Sequence, residues 1–181
     1  MMETGAPRAN GQAGEPGAAL LYFPIFNYSN NNLDHLVTQM KSPATVLSLG
    51  DGGAHCGFVC DTSLPTFMLT HWARDRKRGA TLPLEFMVNA QTQRTAAFYG
   101  LHDRGVLKPG YKADINIIDF PRLHLNAPYF THDLPANGKR LMQKASGYVA
   151  TIVNGVPVAM NGQATGDLSG RLIRGPQGIC V

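Results

Sequence analysis

Asp51 is the residue of this sequence whose type and position best suit acid–base chemistry. It follows an apolar run at residues 46–49 (Val-Leu-Ser-Leu) and precedes two glycines, Gly52 and Gly53. The run predicts a short buried strand, and the glycines predict that a loop opens where the strand ends. Catalytic side chains of parallel α/β folds collect at that end of their strands. Asp-Gly is also a common turn dipeptide, so a structural role for the carboxylate is the alternative.

Four potential metal ligands lie just beyond, at His55, Cys56, Cys60 and Asp61. Three residues separate the two cysteines, which is a spacing that zinc sites use. A structural zinc site also needs a second ligand pair elsewhere in the chain, and the third cysteine, Cys180, falls in a predicted tail. The stretch therefore supplies half of such a site.

Four further histidines are interpreted as structural or surface residues. His71 falls on the apolar face of a predicted helix and is expected to be a hydrogen-bonded core histidine. His102, His124 and His132 lie in predicted loops, where surface or capping roles are expected. The sequence has no glycine-rich phosphate loop and no Gly-x-Ser-x-Gly motif. The residue pattern thus gives one candidate base and no complete active site.

The composition is that of an ordinary globular chain. Its 181 residues suffice for one domain with a core, and the net charge is +4. There is no signal peptide pattern and no bilayer-spanning apolar run, and the odd cysteine count argues against a disulfide framework, so we expect a cytoplasmic protein. The basic residues 74–78 (Arg-Asp-Arg-Lys-Arg) are interpreted as a solvated helix end rather than a nucleic-acid patch. We therefore expect neither nucleic acid nor a membrane as partner.

The elements that must position these residues change in kind along the chain. Residues 1–19, rich in Gly, Ala and Pro, predict a disordered leader. Apolar residues at helical spacing then predict helices over residues 33–40, 64–78, 81–91 and 92–99. Short strands are expected afterwards, at residues 113–119, in a hairpin over residues 148–160 with Pro157 at a sheet edge, and at residues 171–174. This order is typical of the end of an α/β layer followed by part of a separate β layer.

Several short motifs occur in an order that resembles the C-terminal part of the amidohydrolase superfamily, and within it the N-acyl-D-amino-acid deacylase (D-aminoacylase) branch. The resemblance covers roughly residues 22–175. The motifs, in chain order, are residues 50–55 (Gly-Asp-Gly-Gly-Ala-His), 60–61 (Cys-Asp), 72–76 (Trp-Ala-Arg-Asp-Arg), 82–85 (Leu-Pro-Leu-Glu), 99–105 (Tyr-Gly-Leu-His-Asp-Arg-Gly), 107–114 (Leu-Lys-Pro-Gly-Tyr-Lys-Ala-Asp) and 153–155 (Val-Asn-Gly).

The resemblance implies an α/β fold: the C-terminal end of a TIM-type (β/α)8 barrel plus the C-terminal part of a small β-sandwich, as an incomplete fragment. The implied division is a disordered leader (1–19), the end of the barrel (20–104), a sandwich portion with an inserted loop or helix (105–175) and a tail (176–181). The family implies zinc or another divalent metal, and an Asp at the end of barrel strand eight that takes the proton of the metal-activated water. Asp51 matches that position, and His55 in the next loop is close enough to meet substrate.

The sequence departs from the family pattern in two ways, which concern the placement of Asp51 and the completeness of the metal site. Gly50 stands where the branch usually has Ser, which loosens the backbone before Asp51. The family's His-x-His ligand pair occurs nowhere in these 181 residues, so this chain holds no complete metal site. We therefore expect part of a hydrolase for the carbon–nitrogen, non-peptide bond of N-acyl amino acids or similar amides, inactive by itself and lacking a barrel part supplied in cis or in trans. The alternative is a truncated, non-catalytic remnant or binding module.

Overall fold

A computed structural model of the chain describes residues 20, 26–47 and 55–178. The predicted leader, Asp51 with its flanking glycines, and Cys180 lie outside the described residues. The described helices come first and the strands follow, as the sequence predicts. No described helix has both the length and the apolar character needed to cross a membrane.

Within the described ranges, four α-helices form the first layer. Helix α1 is Asp34–Lys41, α2 is Leu64–Phe67, α3 is Leu84–Gln91 and α4 is Gln93–Phe98. Helix α2 continues directly into a π-helical stretch, Met68–Asp75, called the π segment below. Short 3₁₀ turns occur at Ser29–Asn31, Asp61–Ser63, Phe120–Arg122 and Pro135–Asn137.

Burial along α2 and the π segment differs from the predicted apolar face. The predicted apolar face follows the 3.6-residue period of an α-helix, whereas π-helical i→i+5 bonding gives a longer period. Trp72 is buried as predicted, at 1% exposure. Thr66 and Thr70 are also buried, and the Thr66 hydroxyl lies 2.8 Å from the hydroxyl of Tyr148. The helical spacing predicts a buried face of five side chains, and of these Trp72 is fully buried whereas the other four are half-buried: Leu64, Phe67, Met68 and His71.

The core lies between the helices and the first strands. Trp72, Met87 and Leu123 are the largest fully buried side chains, and Met40, Leu69 and Leu82 complete the cluster around them. Val88, which the helical spacing places inward on α3, is 43% exposed instead. The inward face of α3 is formed by Met87 and Ala90.

Among the residues that the structure describes, eight strands form the second layer. They are β1 (Ile115–Ile118), β2 (His124–Leu125), β3 (Tyr129–Leu134), β4 (Gly138–Met142), β5 (Ala145–Ser146), β6 (Tyr148–Val153), β7 (Val156–Met160) and β8 (Gln163–Ala164). An antiparallel sheet has the order β1-β6-β7-β8, and two further antiparallel pairs are β2-β5 and β3-β4. The hairpin β3-β4 lies in the stretch where the sequence predicts an inserted loop or helix.

Local chemistry explains the predicted hairpin. Asn154 and Gly155 have φ of 51° and 82°, as a two-residue turn of this kind requires. Pro157 does not make β7 an edge strand, because β8 pairs with Ala159 and Met160. Pro157 instead lies beyond that short pairing, next to a register shift against β6. The strand predicted at residues 171–174 does not form.

Arg74 of the predicted basic cluster joins the two layers, and Arg76 of the same cluster is bound within the helical layer. Arg74 donates to the carbonyl oxygens of Phe120 and Leu123, the latter at 2.7 Å. Arg76 is 8% exposed, pairs with Asp34 and lies over the Trp72 ring. Two of the cluster's cations are thus engaged inside the protein.

Candidate functional site

The chain on the N-terminal side of Asp51 is anchored by an arginine. Arg94 of helix α4 donates through Nη1 to the Met40 carbonyl oxygen at 3.3 Å and through Nη2 to the carbonyl oxygens of Ser42 and Thr45. Thr45 directly precedes the run at residues 46–49 that is predicted as the buried strand. Residues 45–47 have no strand pairing within the described part of the chain, and the rest of that predicted strand lies outside it.

On the C-terminal side of Asp51, residues 55–58 form a turn with exposed His55 and Phe58 side chains. His55 begins the turn with φ of 49°, and its carbonyl oxygen accepts from the amides of Phe58 and Val59 at 2.9 and 3.0 Å. The His55 and Phe58 rings lie 5.2 Å apart. The Cys56 carbonyl oxygen accepts from the Leu141 amide at 2.7 Å, so hairpin β3-β4 supports this turn.

The four potential metal ligands at residues 55–61 do not converge. No group of three or more His, Cys, Asp or Glu side chains suited to a metal ion is found within the described ranges. The Cys60 thiol faces the Gln143 amide oxygen, with Sγ 3.9 Å from Oε1. Burial raises the pKa of the Cys60 thiol, and the adjacent Asp61 carboxylate raises that pKa further. A protonated thiol is a poor metal ligand, so the local electrostatics oppose a site here.

His71 is half-buried in an aromatic stack. Its ring lies parallel to that of Phe67 at 4.7 Å and edge-on to that of Trp72 at 5.2 Å. Burial lowers the pKa of His71, and the Arg76 charge adds to the decrease, while Asp75 opposes it. The prediction that His71 lies in the core is thus correct in part, because the ring packs against two aromatic side chains but is only half-buried.

The loop histidines are held by local contacts. His124 lies 2.8 Å from the Arg122 carbonyl oxygen through Nδ1, and His132 lies 3.1 Å from that of Asn137. The His102 amide donates to the Gln177 carbonyl oxygen at 2.9 Å. All three residues are exposed, and none of them belongs to a group of three or more potential metal ligands within the described ranges.

The motif at residues 99–114 encloses an ion-pair cluster. Arg104 lies between the carboxylates of Asp103 and Asp114, at 2.9 and 3.2 Å. The other Asp114 oxygen accepts from the Asn154 amide at 2.8 Å. These motif residues therefore join the helical layer to the turn of hairpin β6-β7, and their role in the described structure is architectural.

Comparison with known proteins identifies the class to which this arrangement belongs. The model of the amidohydrolase family, Amidohydro_3, matches residues 13–159. The chain therefore belongs to the amidohydrolase family.

The chain is also similar to particular members of the family. A D-aminoacylase from Alcaligenes xylosoxydans xylosoxydans is 35% identical over 106 residues, which are 59% of this chain and 19% of that protein. A crystal structure of a D-aminoacylase aligns with 32% identity and a TM-score of 0.43 over 57% of this chain and 19% of that one. The chain thus matches about a fifth of the length of each relative. The resemblance to a D-aminoacylase-like amidohydrolase is confirmed.

Sequence reasoning did not find Arg94 or the support from hairpin β3-β4. Arg94 lies 49 to 54 residues from the carbonyl groups that it binds. Backbone carbonyl groups leave no residue pattern, so no spacing in the sequence could signal these contacts.

Proposed function

We propose that this chain is part of an amidohydrolase that cleaves the carbon–nitrogen, non-peptide bond of N-acyl amino acids or related amides, with Asp51 as its general acid/base. The observation that carries the proposal is the family match over residues 13–159, which includes Asp51 in the run Gly50–His55. The similarity to a D-aminoacylase supports the choice of substrate class.

The proposed role of Asp51 is that of a general base and then a general acid. It accepts a proton from the water that attacks the amide carbonyl carbon and returns the proton to the leaving amine. Proton transfer of this kind requires the carboxylate to lie within hydrogen-bond reach of both groups, so its backbone must be held firmly. His55, exposed in the turn that follows, is proposed to contact the substrate.

The divalent metal that the family implies does not fit the described residues. They bring together no group of three potential ligands, the pKa of the Cys60 thiol is raised, and the full sequence has no His-x-His pair. We therefore place the ligands for zinc or another divalent metal in a barrel part outside these 181 residues, supplied in cis or in trans. By itself the chain is expected to be inactive.

The domain assignment remains part of the proposal. Residues 1–19 are a leader, 20–104 the end of the barrel, 105–175 the sandwich portion and 176–181 a tail. A reducing, cytoplasmic location completes the proposal, and the free thiols of Cys56 and Cys60 support it.

The test begins with the intact mass of the protein in its native source and with the coding sequence upstream of Met1. A larger mass and an upstream His-x-His would identify the active form, in which Asp51→Asn should abolish hydrolysis of N-acetyl amino acids. Asp61→Asn is the matched control and should retain turnover. Full turnover by the Asp51→Asn variant would refute the role of Asp51. Stoichiometric zinc and turnover in the purified 181-residue chain would refute its incompleteness.

A non-catalytic binding module is the second candidate. Large apolar side chains exposed on the described surface favour it, among them Phe26 at 79%, Leu107 at 79% and Phe58 at 70%. A native mass near 19.5 kDa without an upstream barrel would select this function over hydrolysis.

A further inference from the structure

Three asparagine–glycine pairs occupy hairpin ends in the described part of the chain. They are Asn137-Gly138 at the start of β4, Asn154-Gly155 between β6 and β7, and Asn161-Gly162 between β7 and β8. The three asparagines share a positive φ, of 59°, 51° and 48°. The pairs therefore match in sequence and in the asparagine φ, and they differ in how the glycine is held. A fourth pair, Asn10-Gly11, lies outside the described residues.

An asparagine that precedes a glycine has its side-chain amide next to a nucleophile, the backbone nitrogen of that glycine. When this nitrogen gives its proton to hydroxide and attacks the asparagine Cγ, an N–Cγ bond forms and the Cγ–Nδ2 bond breaks. The Nδ2 group takes up a proton and leaves as ammonia, and a five-membered cyclic imide remains. Water then adds to one carbonyl carbon of the imide and the bond from that carbon to the glycine nitrogen breaks, which gives aspartate or isoaspartate. Glycine favours the attack because it has no Cβ beside the reacting nitrogen.

A hydrogen bond from the glycine N–H opposes the first step of this reaction. Such a bond stabilises the protonated amide and so disfavours loss of its proton. The Gly155 amide donates to the Ala113 carbonyl oxygen at 2.9 Å, and the Gly138 amide donates to that of Pro135. Gly162 is exposed, and its amide donates to no carbonyl group of the described residues. Gly162 is therefore the glycine whose nitrogen is available to react.

The turn at Asn161-Gly162 is also followed by the shortest strand of the three. The attack requires the asparagine backbone to rotate out of its turn conformation, so the end of the hairpin must open locally. Strand β8 has two residues, both exposed, whereas β4 and β7 have five each. The Asn154 amide is held in addition by the Asp114 carboxylate, at 2.8 Å. The Asn161 amide donates to the Val149 carbonyl oxygen at 2.9 Å, but this bond leaves the Gly162 nitrogen unbound. A short exposed pairing opens at the lowest cost in free energy.

We propose that Asn161 is a site of spontaneous covalent modification, at which its side chain loses ammonia through a cyclic imide with Gly162 and becomes aspartate or isoaspartate. Water and hydroxide are the co-reactants. The reaction does not involve Asp51, and it goes beyond the hydrolysis proposed above.

The modification changes the end of the β1-β6-β7-β8 sheet. In isoaspartate the main chain runs through Cβ and Cγ, so one carbon atom is added between Met160 and Gln163, which pair across the turn. A two-residue turn fixes the register of its strands, so the added atom disrupts this pairing. The new carboxylate also brings negative charge to the cleft that residue 161 lines together with Arg122 and His124.

The experiment incubates the whole 181-residue chain at pH 8, once folded in buffer and once unfolded in urea. Tryptic peptides are analysed over time by mass spectrometry, and fragment ions assign the replacement of NH2 by OH to residue 137, 154 or 161. Fragmentation that breaks the Cα–Cβ bond separates isoaspartate from aspartate. The unfolded sample is the matched control, because it contains the same three pairs without their turns. Asn10 lies in a different peptide and does not enter the comparison.

The expected result is a preference that only the folded chain shows. Asn161 should lose its amide about tenfold faster than Asn137 or Asn154, because the free energy of one backbone hydrogen bond corresponds to up to about tenfold in an equilibrium. In urea the three rates should converge. The ¹H–¹⁵N signals of Gln163 and Ala164 should move as isoaspartate accumulates, while those of β1 stay in place.

Two results would overturn the proposal. The first is a folded chain in which Asn161 reacts no faster than Asn137 and Asn154, since the unbound Gly162 amide would then have no effect. The second is an equal preference for Asn161 in urea, which would assign the rate to neighbouring residues in the sequence rather than to the turn. Neither readout depends on catalysis. Failure of the proposed function would appear separately, as full turnover of the active form carrying Asp51→Asn.

Discussion

The guanidinium group of Arg104 lies against the carboxylate of Asp103, with Nε 2.9 Å from Oδ1 and Nη2 3.1 Å from Oδ2. Asp103 is 3% exposed. A two-point contact of this kind is stronger than a single neutral hydrogen bond, and little water reaches this carboxylate to compete for it. Because Arg104 also pairs with Asp114, this contact connects the end of the helical layer to the start of β1.

Asp103→Asn should lower the free energy of unfolding by about 2 kcal/mol, because a hydrogen-bonded charge pair is replaced by a neutral amide. Urea unfolding at pH 7 measures the change. Asp133→Asn is the matched control, since Asp133 makes a similar two-point contact with Arg140 on an exposed hairpin. Its loss should be clearly smaller because water screens that pair. Equal losses would refute the argument from burial.

The same contact predicts a dependence on acid. The hydrogen bond from Arg104 holds the pKa of Asp103 below its ordinary value of 3.8. Between the folded-state pKa of Asp103 and its ordinary pKa of 3.8, the unfolded chain therefore binds more protons than the folded chain. The contribution of Asp103 to stability is therefore complete when the pH is above its ordinary pKa. It is lost as the pH falls through its folded-state pKa. Urea midpoints measured from pH 6 to pH 2.5 should fall more steeply for the wild type than for Asp103→Asn. Parallel curves would contradict this.

His71 predicts a second pH dependence with its own window. Burial lowers the pKa of His71 below the ordinary 6.5, so the unfolded state binds more protons between the folded and the ordinary values. The stability that neutral His71 contributes is complete when the pH is above its ordinary pKa of 6.5. This contribution declines as the pH falls through its folded-state pKa. The urea midpoint of the wild type should be higher at pH 7.5 than at pH 5, and this difference should be smaller for the His71→Gln variant. His132→Gln removes an exposed imidazole and serves as the comparison. An unchanged gap in His71→Gln would count against the stacked, neutral ring.

The sequence predicts those elements whose local chemistry is sufficient to form them. The turn at Asn154-Gly155 needs positive φ at both residues, and these two residue types adopt it readily. Helix α1 follows from apolar spacing and ends where Pro43 approaches. The π segment is not predicted, because apolar residues at helical spacing indicate a helix but do not distinguish i→i+5 from i→i+4 hydrogen bonding.

Hairpin β3-β4 and the contacts around the candidate site also could not be predicted from sequence patterns. Strand β3 has no alternation of buried and exposed side chains, so it gives no period-two signal. For the site, the apolar run and the glycines around Asp51 indicate a candidate base, and the family resemblance implies the roles of Asp51 and His55. The groups that hold this segment, Arg94 and the Leu141 amide, act on backbone oxygens far away in the chain and are visible in the folded structure alone.

Gly147 gives the sharpest test of the junction between the layers. Its φ is 102°, and a Cβ built there would lie 2.6 Å from the Cα atom of Leu123, which is fully buried. Its carbonyl oxygen also accepts from the Asp119 amide at 2.8 Å, so the backbone cannot move freely. Gly147→Ala must therefore push the Phe120–Arg122 turn away from β5 and β6.

Gly166→Ala separates this clash from backbone strain. Gly166 has a similar φ of 94°, but a Cβ there would have no atom within 4 Å. Both substitutions strain the backbone, by roughly 1–2 kcal/mol for a residue held in the left-handed region. Gly147→Ala should cost about 2 kcal/mol more, because overpacking a buried contact costs about 1–3 kcal/mol. Urea unfolding of the two variants measures the difference. If they unfold at the same midpoint, the close approach of Gly147 to Leu123 does not constrain the fold.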